Sequence, residues 1–337
     1  MTTKPRILEL AGPLLLVVVL SYILGTRSPG MLYIVQNTLA LFVMVLALQV
    51  FVGNSGVLSF GHGAFAMIGA FASGIATTSL RIKEHSLQLQ NLYGWLVDFN
   101  LGLYPSILVA VVVGAIFAAL TGIFMARLSG LAAGIATFAL LGVAYNVFFN
   151  NINIGPGPQA LPQLPKFNFL EETIVLAVIA MLVAYFVGVS QVGRTLRATR
   201  EDALAAPALG ISIYRVRWIA YTISGGLAGL AGAMYSHVAG TAQVQDYYLF
   251  YTFMTLSMLI IGGSGSVWGA TIGTFVVTLI GQILFLWEQG KSFLGLGIKV
   301  PNGTRSLVIA LGLVVMLLWR PGGLTNGREF ALPRRKG

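Results

Sequence analysis

From Ser28 to Leu80 the chain runs 53 residues without an Asp, Glu, Lys or Arg. About 20 apolar residues already cross the hydrocarbon core of a bilayer, so this run is long enough to enter, turn and return. Further charge-free runs cover 128–165, 218–245 and 247–287. Charged residues make up 9% of the 337, against about 25% in a typical soluble domain. In lipid the backbone must satisfy its own hydrogen bonds, which leaves helices or a closed barrel. Barrel strands need only about 10 residues and alternate in polarity. These runs are longer and do not alternate, so the fold class is an all-α polytopic membrane protein.

Ten hydrophobic segments follow, at 7–25, 31–52, 62–80, 105–126, 130–149, 173–190, 218–239, 247–262, 267–287 and 305–319. The eighth and tenth are short for a full crossing, which leaves tilted helices, broken helices or re-entrant hairpins open. Basic residues set the expected orientation. With the N-terminus inside, ten crossings return the C-terminus to the same side. That side holds 13 of the 20 Lys and Arg residues: Lys4, Arg6, Arg127, Arg194, Arg197, Arg200, Arg215, Arg217, Arg320, Arg328, Arg334, Arg335 and Lys336. Arg27, Arg81, Lys83, Lys166, Lys291, Lys299 and Arg305 fall outside, where acids bring the balance close to zero. No small-residue cleavage site follows the first run, which is expected to remain as a span.

Several function classes are disfavoured. The chain has no Cys and three scattered His, which removes disulfides and thiolate metal sites. The net charge of +10 sits at the ends of apolar runs, where it reads as a topology signal. Ion-coupled carriers keep acids within the membrane; here the spans hold only Glu9, close to one end. Gly290-Lys291-Ser292 lacks the upstream glycine of a phosphate-binding loop, because Phe285 stands there. Nucleotide binding by that device and an intramembrane acid–base enzyme are both disfavoured.

Two short breaks echo each other. Gly53-Asn54-Ser55-Gly56 follows the second segment and Gly262-Gly263-Ser264-Gly265 follows the eighth. Interrupted hydrophobic segments in corresponding halves mark translocation paths in many carriers, and tight interhelical turns are the plainer alternative. Asn54, Ser55, Ser59, His62, Ser264 and Ser266 would supply neutral hydrogen-bonding groups to such a path, or bonds between helices. Gly265, Gly269 and Gly273 share a helix face, as do Gly225 and Gly229. That spacing predicts close helix contact, within the chain or with a second subunit.

The 191–217 segment is the most informative polar feature. Thr199 is placed to cap a short helix over 200–206, with Asp202 three residues on; Pro207 and Gly210 then end it. A basic loop held to anionic lipid explains its arginines, but not the order Arg200-Glu201-Asp202, Ala205-Ala206, Gly210. That order resembles the cytoplasmic segment of ATP-binding-cassette importer permeases, in which a short helix docks into the ATPase. Residues Gly193-Arg194 through Arg215-Val216, Gly53 through Phe65, Ser224-Gly225 to Tyr235, Gly262 to Ser266, and Arg320-Pro321-Gly322-Gly323-Leu324 resemble the branched-chain amino acid permeases, nearer the M-type than the H-type subunit. Pro207 departs from the usual polar or basic residue there.

The resemblance implies a single permease domain over 1–337 in a bacterial cytoplasmic (inner) membrane, with a bundle like that of type II importers. It implies a second, H-type permease subunit, two cytoplasmic ATPases that use ATP and Mg, and an external amino acid binding protein. This chain is then non-catalytic and binds no cofactor. Arg200, Glu201, Asp202, Ala205, Ala206 and Gly210 would be the ATPase-coupling residues. A permease for urea or short-chain amides is the alternative within the superfamily; a stand-alone carrier or channel is the alternative outside it.

Overall fold

The computed structural model describes residues 8–290 and 300–330. Lys4, Arg6, Lys291, Lys299, Arg334, Arg335 and Lys336, counted above for orientation, lie outside the described residues. Helix α1 comprises Leu8–Leu15, a π-helical turn Leu16–Leu20 and Ser21–Gly25. Helix α2 is Pro29–Leu48, closed by a second π-helical turn, Gln49–Gly53. Then come α3 (His62–Thr77), the short α4 (Leu80–His85) and α5 (Gly94–Asp98), α6 (Leu103–Met125), α7 (Gly130–Asn150) and α8 (Leu170–Val189). Helix α9 is Gln191–Glu201 and α10 is Ile213–Ala239. The chain ends in α11 (Leu249–Gly262), α12 (Val267–Glu288) and α13 (Thr304–Trp319).

All ten expected segments are helices, and five of them are long and apolar enough to cross a bilayer on length and composition alone. The eighth and tenth segments are single unbroken helices, α11 and α13. Helix α10 starts at Ile213, five residues before the predicted boundary, because Arg215 and Arg217 lie on its first turns rather than in a loop. Among the described residues the only strand-like pairing is one antiparallel bridge, Leu161 with Ala242.

Helix α10 sits at the centre, packed on α2, α3 and α6. Glycine makes this possible. A side chain on Gly229 would strike the Ala110 carbonyl of α6, and one on Gly225 would strike Ala118. On its other side, a side chain on Gly232 would strike the Ala66 carbonyl of α3. Gly262 of α11 meets Gly269 and Gly273 of α12 in the same way. The glycine faces expected from spacing meet neighbours within the chain. Leucine, valine and phenylalanine side chains of α6, α7, α8 and α13 point outward, with Leu131, Phe124 and Leu318 among the most exposed. That is the arrangement lipid favours.

The contacts sort the helix ends into two sets. One end joins the starts of α1, α3, α7, α10 and α12 to the ends of α2, α6, α8, α11 and α13. Tyr185 donates to Glu9 there, Arg217 donates to the Leu128 carbonyl, and a side chain on Gly12 would strike Phe330. The opposite end carries the longer loops. Lys83 organises one of them: its ammonium donates to the carbonyls of Leu96, Val97 and Phe99 at 2.8, 3.3 and 2.6 Å. This clasp and the helices α4 and α5 were invisible in the 81–104 loop as sequence.

Candidate functional site: a junction of two breaks

The two glycine-rich breaks, 209 residues apart in sequence at their first glycines Gly53 and Gly262, touch. A side chain on Gly53 would collide with the Ser264 carbonyl oxygen. Each break holds a residue with positive φ, Gly56 at 69° and Gly263 at 116°, a region that favours glycine.

Helix α9 locks onto the first break. Ser190 caps it by accepting from the Gly193 amide at 3.4 Å. A side chain on Gly193 would meet the Val187 and Gly188 carbonyls, so the α8–α9 corner needs glycine. The Arg197 guanidinium donates to Asn54 Oδ1 at 2.6 Å and to the Gly188 carbonyl at 2.9 Å. Arg200 donates to the Gly53 carbonyl at 2.8 Å and its side chain lies across Gly56. The Arg200 bond satisfies a carbonyl that the end of α2 would otherwise leave unpaired.

The second break is held by the segment after α13. The Leu324 and Thr325 amides donate to the carbonyls of Ile261 and Gly262, and the Thr325 hydroxyl donates to Gly262 as well. Glu329 accepts from the Val267 and Trp268 amides at 2.9 and 3.2 Å, at the positive end of α12. Burial raises the Glu329 pKa, opposed by those two amides and by Arg197. Burial likewise lowers the Arg197 pKa, with Glu329 opposing. Arg197 thus contacts one break directly and feels the acid that closes the other.

The sequence expectations for 191–217 need correction. The helix lies upstream, at Gln191–Glu201; Thr199 is in its last turn, donating to the Leu196 carbonyl, and caps nothing. Asp202 instead opens a turn, its Oδ1 accepting from the Leu204 and Ala205 amides at 2.9 Å each. Those bonds hold the Asp202 carboxyl below its ordinary pKa. Pro207 enters a 3-10 turn, Ala206–Leu209, and Gly210 ends it with φ 75°. Glu201, Asp202, Ala205 and Gly210 are exposed, Ala206 is buried, and Arg200 faces inward to Gly53. Leu204 and Leu209 are 92% and 79% exposed, two apolar side chains on the turn after α9.

The six residues proposed for a path separate into two groups. Asn54, Ser55, Ser264 and Ser266 lie in the two breaks that meet at the junction. The Asn54 amide donates to the Gln49 and Val50 carbonyls, and Ser266 caps α12 by accepting from the Gly269 amide. Ser55 accepts from the Val57 amide. Ser59 and His62 belong to the helix core. Ser224 donates to the Tyr221 carbonyl, so its oxygen accepts from His62 Nε2 at 3.0 Å, and Ser59 donates to Nδ1 at 3.0 Å. Phe51, Phe65 and Tyr221 surround the imidazole. A second pair, Ser73 of α3 with His237 of α10 at 2.8 Å, repeats the motif. The order of the two pairs makes α3 and α10 parallel. Glu329 was missed, although Arg320–Leu324 just before it carries part of the family resemblance; a lone acid after those turn formers was the available signal. Among the described residues no group of His, Asp and Glu is placed to hold a metal.

Ten hydrophobic helices among the described residues, with a polar junction at one end of the bundle, define the architecture of a multi-pass membrane protein. The comparisons make this specific. A family model described as the branched-chain amino acid transport system / permease component matches residues 30–318. The chain belongs to that family. It is similar to the high-affinity branched-chain amino acid transport system permease protein LivM of Salmonella typhimurium, 24% identical over 88% of this chain and 70% of the relative. The LivM protein of Escherichia coli is 25% identical over the same shares. The autoinducer 2 import system permease protein LsrC of Salmonella paratyphi B is 26% identical over 73% of this chain and 70% of that protein. No solved structure matches the chain.

Proposed function

We propose that the chain is the M-type permease subunit of an ATP-driven importer for branched-chain amino acids, working with an H-type permease, two cytoplasmic ATPases and an external binding protein. It lies in a bacterial inner membrane with both termini and the α9 junction on the cytoplasmic side. The observation that carries this reading is the junction itself. One helix, α9, holds the first break through Arg197 and Arg200, and the turn that follows it carries Leu204 and Leu209, which nothing among the described residues covers. A partner seated on those two leucines would move the end of α2 directly. Through Arg197 and Glu329 it would also reach α12. Eight described arginines cluster at this end, namely Arg127, Arg194, Arg197, Arg200, Arg215, Arg217, Arg320 and Arg328, in accord with a cytoplasmic side. The higher coverage by LivM than by LsrC supports branched-chain amino acids as cargo.

In this mechanism the chain hydrolyses nothing. ATP and Mg act in the partner ATPases, and the bundle contributes two states of differing access, biased by nucleotide and by the loaded binding protein. Residues 1–337 act as one domain, with 191–217 as its handle. The test is Leu204→Arg and Leu209→Arg in the assembled transporter. Both variants should insert, lose the ATPases on copurification and lose uptake of labelled L-leucine. Retention of the ATPases with full uptake refutes the coupling role.

A further inference from the structure

At the end opposite the junction, Arg305 behaves unlike an anchoring arginine. It is the second residue of α13, where a long basic side chain ordinarily turns toward water and lipid headgroups. Its guanidinium turns into the bundle instead. Nη2 lies 4.0 Å from Met254 Sδ, and the guanidinium carbon stands 5.9 Å from the Phe250 ring centre, both on α11. Nε lies 3.2 Å from where a side chain on Gly281 would begin. Gly281 is seven residues before the end of α12, so it is about 10 Å along the axis from that end. The absent side chain at Gly281 leaves the room the guanidinium occupies.

This cation has no carboxylate within ion-pair distance among the described residues. Glu288 is the nearest acid in sequence; its Oε1 accepts from the Arg305 backbone amide at 2.8 Å, and its charge acts on the guanidinium from beyond ion-pair distance. Arg305 Nε is buried without a hydrogen-bond partner. So is the hydroxyl of Tyr251, on the same turn of α11 as Phe250 and Met254, although the residue is only 3% exposed. Tyr235 stacks edge-on to Tyr251 at 5.4 Å and lies within electrostatic reach of both Arg305 and Asp246. Charged groups within a membrane bundle are rare and ordinarily paired; Glu288 reaches the Arg305 guanidinium only through space, which leaves Nε free for a second anion.

We propose that Arg305, with Tyr235 within its electrostatic reach and the unpartnered Tyr251 hydroxyl on the turn of α11 that carries Phe250 and Met254, forms a subsite for the carboxylate of a small zwitterionic solute. The choice of an amino acid as that solute rests on the function proposed above. Guanidinium and carboxylate match in a two-bond fork that a lysine cannot reproduce. Phe250 and Met254 supply apolar wall for an aliphatic side chain, and Asp246 offers the opposite charge to an ammonium group. The bundle then selects for a carboxylate at its mouth instead of leaving all selection to an external protein.

The test uses the purified transporter assembly in lipid nanodiscs without the binding protein. Binding of tritiated L-leucine is measured by scintillation proximity, with unlabelled L-leucine, L-leucinamide and 4-methylvalerate as competitors. Wild type should prefer L-leucine and 4-methylvalerate to the amide. Arg305→Gln should weaken L-leucine by about 10-fold or more and abolish the preference over the amide; Arg305→Lys should fall between. Gly281→Ala, which keeps the charge but crowds Nε, should also weaken L-leucine, and it decides the matter if Arg305→Gln does not fold. Unchanged leucine binding in a folded Arg305→Gln protein, or equal loss of leucine and leucinamide, overturns the subsite. So does wild-type indifference to 4-methylvalerate. Leucine import by wild type with its binding protein is measured separately. Its absence, alongside Arg305-dependent binding of 4-methylvalerate, refutes the cargo and leaves the subsite standing.

Discussion

Replacing Gly232 by alanine tests the packing that everything else depends on. The new methyl would sit on the Ala66 carbonyl, 2.5 Å from its carbon and 2.8 Å from Cα, all of them backbone atoms of α3. Non-bonded carbons rest about 3.5–4.0 Å apart, so α3 and α10 must part by about 1 Å. Such a gap forfeits about a quarter to a half of each contact along the seam. Overpacking of this kind costs about 1–3 kcal/mol, and alanine's helix preference returns about 0.8–1 kcal/mol. Parting the helices also stretches His62–Ser224 and Ser73–His237, now 3.0 and 2.8 Å, at about 0.6 kcal/mol each. The net expectation is a loss of about 1–3 kcal/mol. Gly142→Ala in α7 is the control, because nothing lies within 4 Å of its new methyl. It should be neutral or stabilising by up to about 1 kcal/mol. Thermal or SDS unfolding of the purified protein, followed by size-exclusion chromatography, reads both. If Gly232→Ala melts at or above wild type, the backbone-on-backbone contact of α3 with α10 is wrong.

Arg197→Met should uncouple rather than unfold. It removes two charge-assisted bonds worth about 1.5–3 kcal/mol each when dry, taken at the low end here because the side chain is half-exposed; uptake should fall while membrane insertion and ATPase binding persist. Glu329 should make stability fall with rising pH. Its folded pKa lies above the ordinary carboxyl value, so the folded state binds more protons across the window from that value to the raised one. A melting-temperature series from pH 4 to 7 should show that slope in wild type and a flatter profile in Glu329→Gln. Lys83→Met leaves three carbonyls without their donor. The 80–99 loop should then become sensitive to limited proteolysis while the helices stay intact.

Much of the bundle was legible because hydrophobic runs and glycine spacing are local properties. The second segment, expected from 31, begins only two residues earlier at Pro29, where Ser28 accepts from the Met31 amide. Gly269 and Gly273 could be assigned a contact face, though not a partner. What was illegible depends on residues distant in sequence. The Lys83 clasp reads as a surface charge until three carbonyls converge on it. Arg305 reads as a loop cation until Gly281, 24 residues earlier, opens room for it. The start of α9 was misplaced because Thr199 and Asp202 imitate a capping pair. The real cap, Ser190, follows α8 with no intervening loop, so no change of composition marks the boundary.

The last turn of α2 is wound as a π-helix, Gln49–Gly53, immediately before the residues that α9 grips. A π turn holds one residue more than its neighbours. Tightening it to ordinary winding would release that residue and swing everything beyond it by about 100°. Asn54 and the Gly53 carbonyl are the first atoms to be carried round. Under the coupling proposed above, a pull through Arg197 and Arg200 on this turn would be spent as rotation instead of as a gap in the wall.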